Sequence, residues 1–358
     1  MKKLIFASAA LAAILAASCS EKLPQNVAGP YSEETGDITV SIVPDSQSST
    51  RAVTAYTEAQ TYESQVNNVQ ILVFHNDGKI AAYKNNGTSL SGTISTTVGA
   101  KKVWAVINGP VLSAVSTESA LKSTIVALSA NSTTASSGFV MSGSGSCTVA
   151  TTGEVTCSFS VSRLVSRVAL RSVTNSLPSS YGALTVQRVF LSNVVGNQNL
   201  DGTAAATVTW YNQDGRADEG SRNTAHIIDG STYTASCADL TFKSVSQSVA
   251  VGSSYTPSTP LLLYCYPNSS TVAPAGFSSS FSAKRTVLTV VATVGGTLQY
   301  YPVVLDDAVL ERNKTYTVGL TITGPGSNDP NTPVSKGSIS VSLTVSGWTA
   351  GATYDEVI

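Results

Sequence analysis

The chain has 358 residues, more than one ordinary domain and enough for two of roughly 150 each. Only 12% of them are Asp, Glu, Lys or Arg, about half the usual share, while 42% are apolar, and 21 basic against 22 acidic side chains leave a net charge of −1. That balance excludes a charged disordered chain and a nucleic-acid partner, and two histidines, His75 and His226, are too few for most catalytic schemes. What remains is Ser, Thr, Gly and Asn around short Val/Ile/Leu runs, a composition suited to all-β sandwiches whose outer faces carry hydroxyls.

Met1-Lys2-Lys3 is a short basic start, and the apolar run from Leu4 to Ala17 is too short to span a bilayer as a helix, so it reads as a signal peptide. Its end, Leu15-Ala16-Ala17-Ser18-Cys19, has small residues before a cysteine, as at a lipoprotein cleavage site. Residues 1–18 would be removed and the Cys19 thiol acylated, palmitate being the expected chain, which would hold the exported precursor on a membrane. The alternative is an ordinary signal-peptidase site beside an incidental Cys19. Glu21 to Gly36 carries Pro, Gly, Asn and acidic residues without periodicity and reads as a tether.

The first strand signal is Asp37 to Val43, where Ile38, Val40 and Ile42 share one face. A polar stretch then leads to Arg51-Ala52. Val66 to Phe74, the turn Asn76-Asp77-Gly78 and Lys79 to Tyr83 read as a hairpin. Strands are expected at Lys102 to Ile107 and Phe139 to Met141, and Cys157 to Val173 forms one strand or two. Leu112 to Ala130 is the only stretch with helical spacing, weakened by its Ser and Thr. Cys147 and Cys157 flank a Thr-Thr-Gly turn that would bring them opposite each other, a candidate disulfide; Cys237 and Cys265 are either paired or buried thiols. No cysteine or histidine spacing fits a metal, and none is expected.

Thr174 to Gly182 combines Asn, Ser, Pro and Gly and marks the expected boundary between an N-terminal domain, 52–176, and a C-terminal domain, 177–358. Strands follow at Leu184 to Asn193, Thr207 to Tyr211, Leu261 to Tyr266, Thr286 to Val294, Leu298 to Leu305, Lys314 to Ile322 and Ser338 to Val345. In the last, Ile339, Val341, Leu343 and Val345 alternate strictly before Gly347-Trp348 and a tail containing Tyr354, Val357 and Ile358.

No enzyme is expected. His75 and His226 stand in turn-like contexts and read as solvent-facing, the acidic residues cluster in turns, and Gly324-Pro325-Gly326-Ser327 lacks what a phosphate loop or dinucleotide fingerprint needs, so no cofactor is implied. Two features ask for a mechanism. An extended Arg51-Ala52 bond in a Ser/Thr segment suits a trypsin-like protease, the alternative, which the residues alone favour, being a solvated loop arginine. If cleavage there removed the strand of Ile38, Val40 and Ile42, a groove and an unpaired edge would open, and a strand from another subunit would fill it.

These residues together resemble the fimbrillins, or Bacteroidia-type (type V) pilins. The carriers are Cys19, Thr50-Arg51-Ala52, VNNVQILVFHNDGKI, KKVWAVINGP, GFVMSG, VSRLVSRVAL, VQRVFLSN, LYCYPN, YYPVVLDD, LERNKTYTVGLTITGPGSNDP and SLTVSGW, in the family's order. The resemblance implies two transthyretin-like antiparallel β-sandwich domains in tandem and an outer-membrane lipoprotein precursor destined for a surface fimbrium. It also implies an arginine-specific surface protease that cuts at Arg51 and removes the propeptide 19–51. The C-terminal strand of a neighbouring copy then enters the groove, the donor residues being Ile339, Val341, Leu343 and Val345 with Tyr354, Val357 and Ile358, or the tail after Trp348 alone if Ser338 to Val345 is the last strand of its own domain; the partners are other copies of the chain and accessory fimbrial subunits. The retained Arg51 points to a polymerising stalk subunit supporting adhesion. The alternative is a surface lipoprotein or tip adhesin that binds a glycan or host protein without polymerising, through aromatics such as Trp210-Tyr211 or Tyr300-Tyr301.

Overall fold

Alternating branched and hydroxyl side chains favour a pleated surface covered on one side, and the chain forms almost nothing but strands. The computed structural model describes residues 31–32, 34–44, 60–134, 136–213, 237–274, 282–305, 310–330, 332–335, 337–348 and 354–357. Cys19, Arg51, Ala52, His226 and Ile358 lie outside them.

In chain order the first elements are β1 (Thr35–Pro44), β2 (Val69–His75), β3 (Ile80–Asn85), β4 (Ser91–Thr97), β5 (Gly99–Ile107), a short helix α1 (Glu118–Lys122), β6 (Ile125–Ala127), β7 (Met141–Val149), β8 (Val155–Arg163) and β9 (Ser166–Asn175). Then come β10 (Leu184–Ser192), β11 (Val194–Val195), β12 (Asn197–Asn199), β13 (Trp210–Tyr211), α2 (Ala238–Thr241), β14 (Phe242–Val249), β15 (Ser254–Tyr255) and β16 (Leu261–Cys265). The last are β17 (Val287–Val294), β18 (Thr297–Val304), β19 (Lys314–Ile322), β20 (Ile339–Gly347) and β21 (Tyr354–Val357). The helical stretch yields only α1, held by Thr117, whose hydroxyl accepts from the Ala120 amide.

Strands run in the order β3-β2-β5-β7-β8-β1-β4, and the path folds over between β7 and β8, whose ladder holds only at Met141↔Arg163 and Ser142↔Ser162. The β1, β4 and β8 side chains Ile38, Val40, Ile94 and Val161 thus meet Ile71, Val73, Val103 and Ala105 of β2 and β5 in one core. β2 is buried along its whole length because Leu72 and Phe74, on its other face, join the larger second core. A second sandwich sets β15, β16, β9, β19, β20 and β21 against β14-β10-β17-β18, filled by Val168, Leu170, Val189, Leu263, Val290 and Leu320. The all-β architecture of stacked sheets expected from the sequence is thus what forms.

The chain passes from the first sheet system to the second at Leu164-Val165, between β8 and β9. The loop after Thr174, expected as the boundary at 176/177, instead joins β9 to β10 across the second sandwich; its Pro and Gly serve a sheet-to-sheet turn. We propose the division between the two units at Leu164. β4, most of β7 and β14 carry few apolar residues and left no alternation to read.

Candidate functional site

β1 lies between two strands that come from elsewhere in the chain. It pairs antiparallel with β4, Ile38 opposite Ile94, and parallel with β8, Ile38 opposite Val155 and Val40 opposite Cys157. Ile38, Val40 and Ile42 are 0%, 0% and 4% exposed, as their alternation predicts. β4 has no other ladder partner, being the end of its sheet. Gly36, where a Cβ would collide with the Ala150 carbonyl, lets β1 enter beside the β7–β8 turn. Upstream, Tyr31 stacks on His75 at 3.6 Å between ring centroids and donates its hydroxyl to Asp77 Oδ2 at 2.5 Å. The hydrogen bond to the carboxylate pushes the phenol up to about 12 and holds Asp77 low.

His75 was expected to face solvent. It is 7% exposed instead, because the unbroken ladder to β5 carries the face of Ile71 and Val73 on to His75, opposite Lys101, and Tyr31 stacks on its ring. Burial first, and then the Lys101 cation, hold its imidazole below the ordinary range.

The C-terminal end is held differently. β20 pairs with β19 along its length, from Ile322↔Ile339 to Lys314↔Gly347, and Leu343 is buried with Ile339, Val341 and Val345 packed beside it on the second core. The four residues expected as donors therefore pack on their own chain. Trp348 follows, 1% exposed, its indole N–H donating to Glu63 Oε2 at 3.2 Å. Beyond it β21 folds back on β20 as the sheet's last strand, Tyr354 opposite Val345 and Val357 opposite Ser342.

Glu63 is the centre of a fully buried knot. It ends a 3-10 turn, Thr61–Glu63, close in sequence after Arg51. Its carboxylate accepts from Arg167 Nη1 at 2.9 and 3.1 Å, from Tyr264 Oη at 2.6 Å and from the Gln60 amide at 2.6 Å, while Arg163 Nε donates to its carbonyl at 2.8 Å. The guanidinium groups of Arg163 and Arg167 lie 4.7 and 5.0 Å from the Trp348 ring centre, and Tyr264 stacks on the same ring at 5.8 Å. Burial and the neighbouring carboxylate raise the Tyr264 phenol well above its usual value. The knot thus ties the segment after the expected cleavage site to the root of the tail. Reading motifs missed it, although two arginines inside the apolar run VSRLVSRVAL were its signal, since a strand charge facing a core needs a partner.

Cys147 and Cys157 carry free thiols that hydrogen-bond to each other. Cys237 and Cys265 are buried in the second core. Of the aromatics expected to form a binding platform, Tyr211 and Tyr301 are buried, and Tyr301 donates to the Gly324 carbonyl.

A family model described as Major fimbrial subunit protein (FimA) matches residues 37–177. Over this stretch the chain is similar to that family of fimbrial subunits. The matched stretch runs from inside β1 to just past β9, so it contains β1 and both strands beside it. Fimbrial subunits are structural and adhesive proteins rather than enzymes. The fold is similar to that of a fimbrilin from Porphyromonas gingivalis W83, with a TM-score of 0.57, 12% identity and coverage of 89% of this chain and 99% of that one. A candidate cell adhesion protein from Bacteroides eggerthii gives 0.62 at 21% identity, covering 88% and 96%. The tip fimbrial protein Mfa3 from Porphyromonas gingivalis gives 0.53 at 14%, covering 88% and 100%. No curated protein matches the sequence.

Proposed function

We propose that this chain is the precursor of a polymerising fimbrial subunit on the cell surface. It is anchored through Cys19, cut after Arg51 by an arginine-specific protease, and assembled when a neighbour's C-terminal strand replaces β1. The observation that carries the reading is β1 itself, a buried strand flanked by β4 and β8 and joined to the body only through residues 45–59, which contain Arg51. Three buried apolar side chains at about 1.5–3 kcal/mol each make β1 worth roughly 5–9 kcal/mol before its ladders are counted. Cleavage alone therefore leaves it seated, and it departs when an incoming strand offers equivalent burial and hydrogen bonds.

The donor is the segment beyond Trp348. Residues 349–358 equal the ten-residue β1 in length, and β21 detaches from a single edge ladder, whereas freeing β20 would unpair β19 and uncover the second core. Trp348 marks the point from which the tail swings.

Limited digestion of the purified precursor with an arginine-specific protease tests this. Wild type should be cut after Arg51 and then form heat-sensitive ladders on denaturing gels. Arg51→Ala should remain uncut and monomeric, and removal of residues 349–358 should leave a cleavable chain, with melting temperature changed by no more than about 2 °C, that forms no ladder. A cleanly cut wild type that stays monomeric at high concentration would favour the tip-adhesin alternative.

A further inference from the structure

β8 is one wall of the groove that β1 fills, and its backbone is poorly secured. Residues Val155 to Val161 pair with β1, from Ile38↔Val155 to Pro44↔Val161. On its other side the ladder to β7 ends at Ser142↔Ser162. Among the described residues, departure of β1 therefore leaves that part of β8 with no ladder partner on either side. Continuing the β7–β8 register past Ser142↔Ser162 sets Cys147 opposite Cys157. Gly143, where a Cβ would collide with the Ser160 carbonyl, and Gly145, under Phe159, keep the two strands close where their ladder has opened. The two thiols hydrogen-bond to each other across that opening.

We propose that Cys147 and Cys157 form a disulfide in the exported protein, and that this crosslink holds β8 in place while the groove is empty. The second part rests on the strand-exchange reading above. Cys147 is partly exposed and open to an oxidant, its thiol raised by burial with the Lys101 cation opposite offsetting part of that, whereas Cys157 is 2% exposed and burial pushes its thiol up to about 12. Cys147 is therefore the entry sulfur. Its thiolate attacks the disulfide of a protein thiol oxidant outside the cytoplasm, forming a mixed disulfide and releasing one oxidant thiolate. The Cys157 thiolate then attacks the Cys147 sulfur, expelling the second oxidant thiolate. Two cysteine thiols lose two protons and two electrons, and the oxidant disulfide becomes a dithiol.

The full-length chain, purified from its export compartment, should be alkylated without reduction and digested. A linked peptide pair containing Cys147 and Cys157 is expected; both residues alkylated, and still alkylated after incubation with oxidised glutathione, overturns the crosslink. For the brace, Cys147→Ser/Cys157→Ser is compared with wild type by hydrogen exchange over Val155 to Ser160. The two precursors should match, and after cleavage at Arg51 and loss of the β1 peptide the double variant should exchange at least about 10-fold faster. Equal exchange with β1 gone overturns the brace. A β1 peptide that stays bound in both proteins under assembly conditions counts against strand exchange and overturns the brace with it, while the crosslink is judged by the peptide mass alone.

Discussion

β1 and the knot around Glu63 are buried to the same degree by opposite means. β1 fits through alternating apolar side chains and backbone hydrogen bonds, terms that any strand with branched residues at the same spacing can supply. The knot of Glu63, Arg167, Tyr264 and Trp348 fits through a carboxylate with several specific donors, an arrangement that a different segment could not reproduce. The first kind of contact is suited to replacement. The second is suited to holding the chain together.

The largest expected effect breaks the knot. Glu63→Ala leaves the Arg167 charge, the Tyr264 hydroxyl and the Trp348 indole without their acceptor, at about 3–5 kcal/mol, and thermal denaturation should show a melting temperature lower by about 10 °C. Should Glu63→Ala cost less than a single methyl-group deletion in β1, the contrast fails. Next, Ile38→Ala removes a fully buried side chain at about 2–4 kcal/mol. It should also speed release of the cleaved β1 peptide, measured by its loss from the cut complex, which Glu63→Ala should not do selectively.

The smallest effect concerns His75, near the upstream end of β1. Its folded imidazole binds protons less readily than the unfolded one, because of burial and Lys101. The unfolded chain therefore takes up more protons on acidification, and the stability present above about pH 6.5 is lost as the pH falls through the folded value. His75→Gln should flatten that part of a melting-temperature profile between pH 7 and 5. An unchanged profile would show that other groups carry it.

Several elements were legible because their physics is local. Ile38, Val40 and Ile42 alternate and are buried together, Asn76-Asp77-Gly78 turns a hairpin, and Lys314 to Ile322 is a strand with those limits. β4 and β14, rich in Ser, Thr and Gly, carried no apolar period and were invisible until their neighbours covered one face. The burial of His75 depended on Tyr31, which stacks on it from upstream of β1, and the sheet change at Leu164 depended on which strands β9 joins.

The sequence by itself determined that the chain is all-β, that one face of its first strand is apolar, and that an arginine follows that strand in a Ser/Thr segment. Period-2 patterning and a protease's preferred residue are properties of a few consecutive positions. The tertiary structure alone decided that β1 lies between β4 and β8, that two arginines in an apolar run meet Glu63, Arg167 at its carboxylate and Arg163 at its carbonyl, and that Cys147 meets Cys157 where a ladder ends. Those outcomes are pairings between distant residues, and a buried charge or an empty ladder position acquires its meaning only from the group placed opposite it.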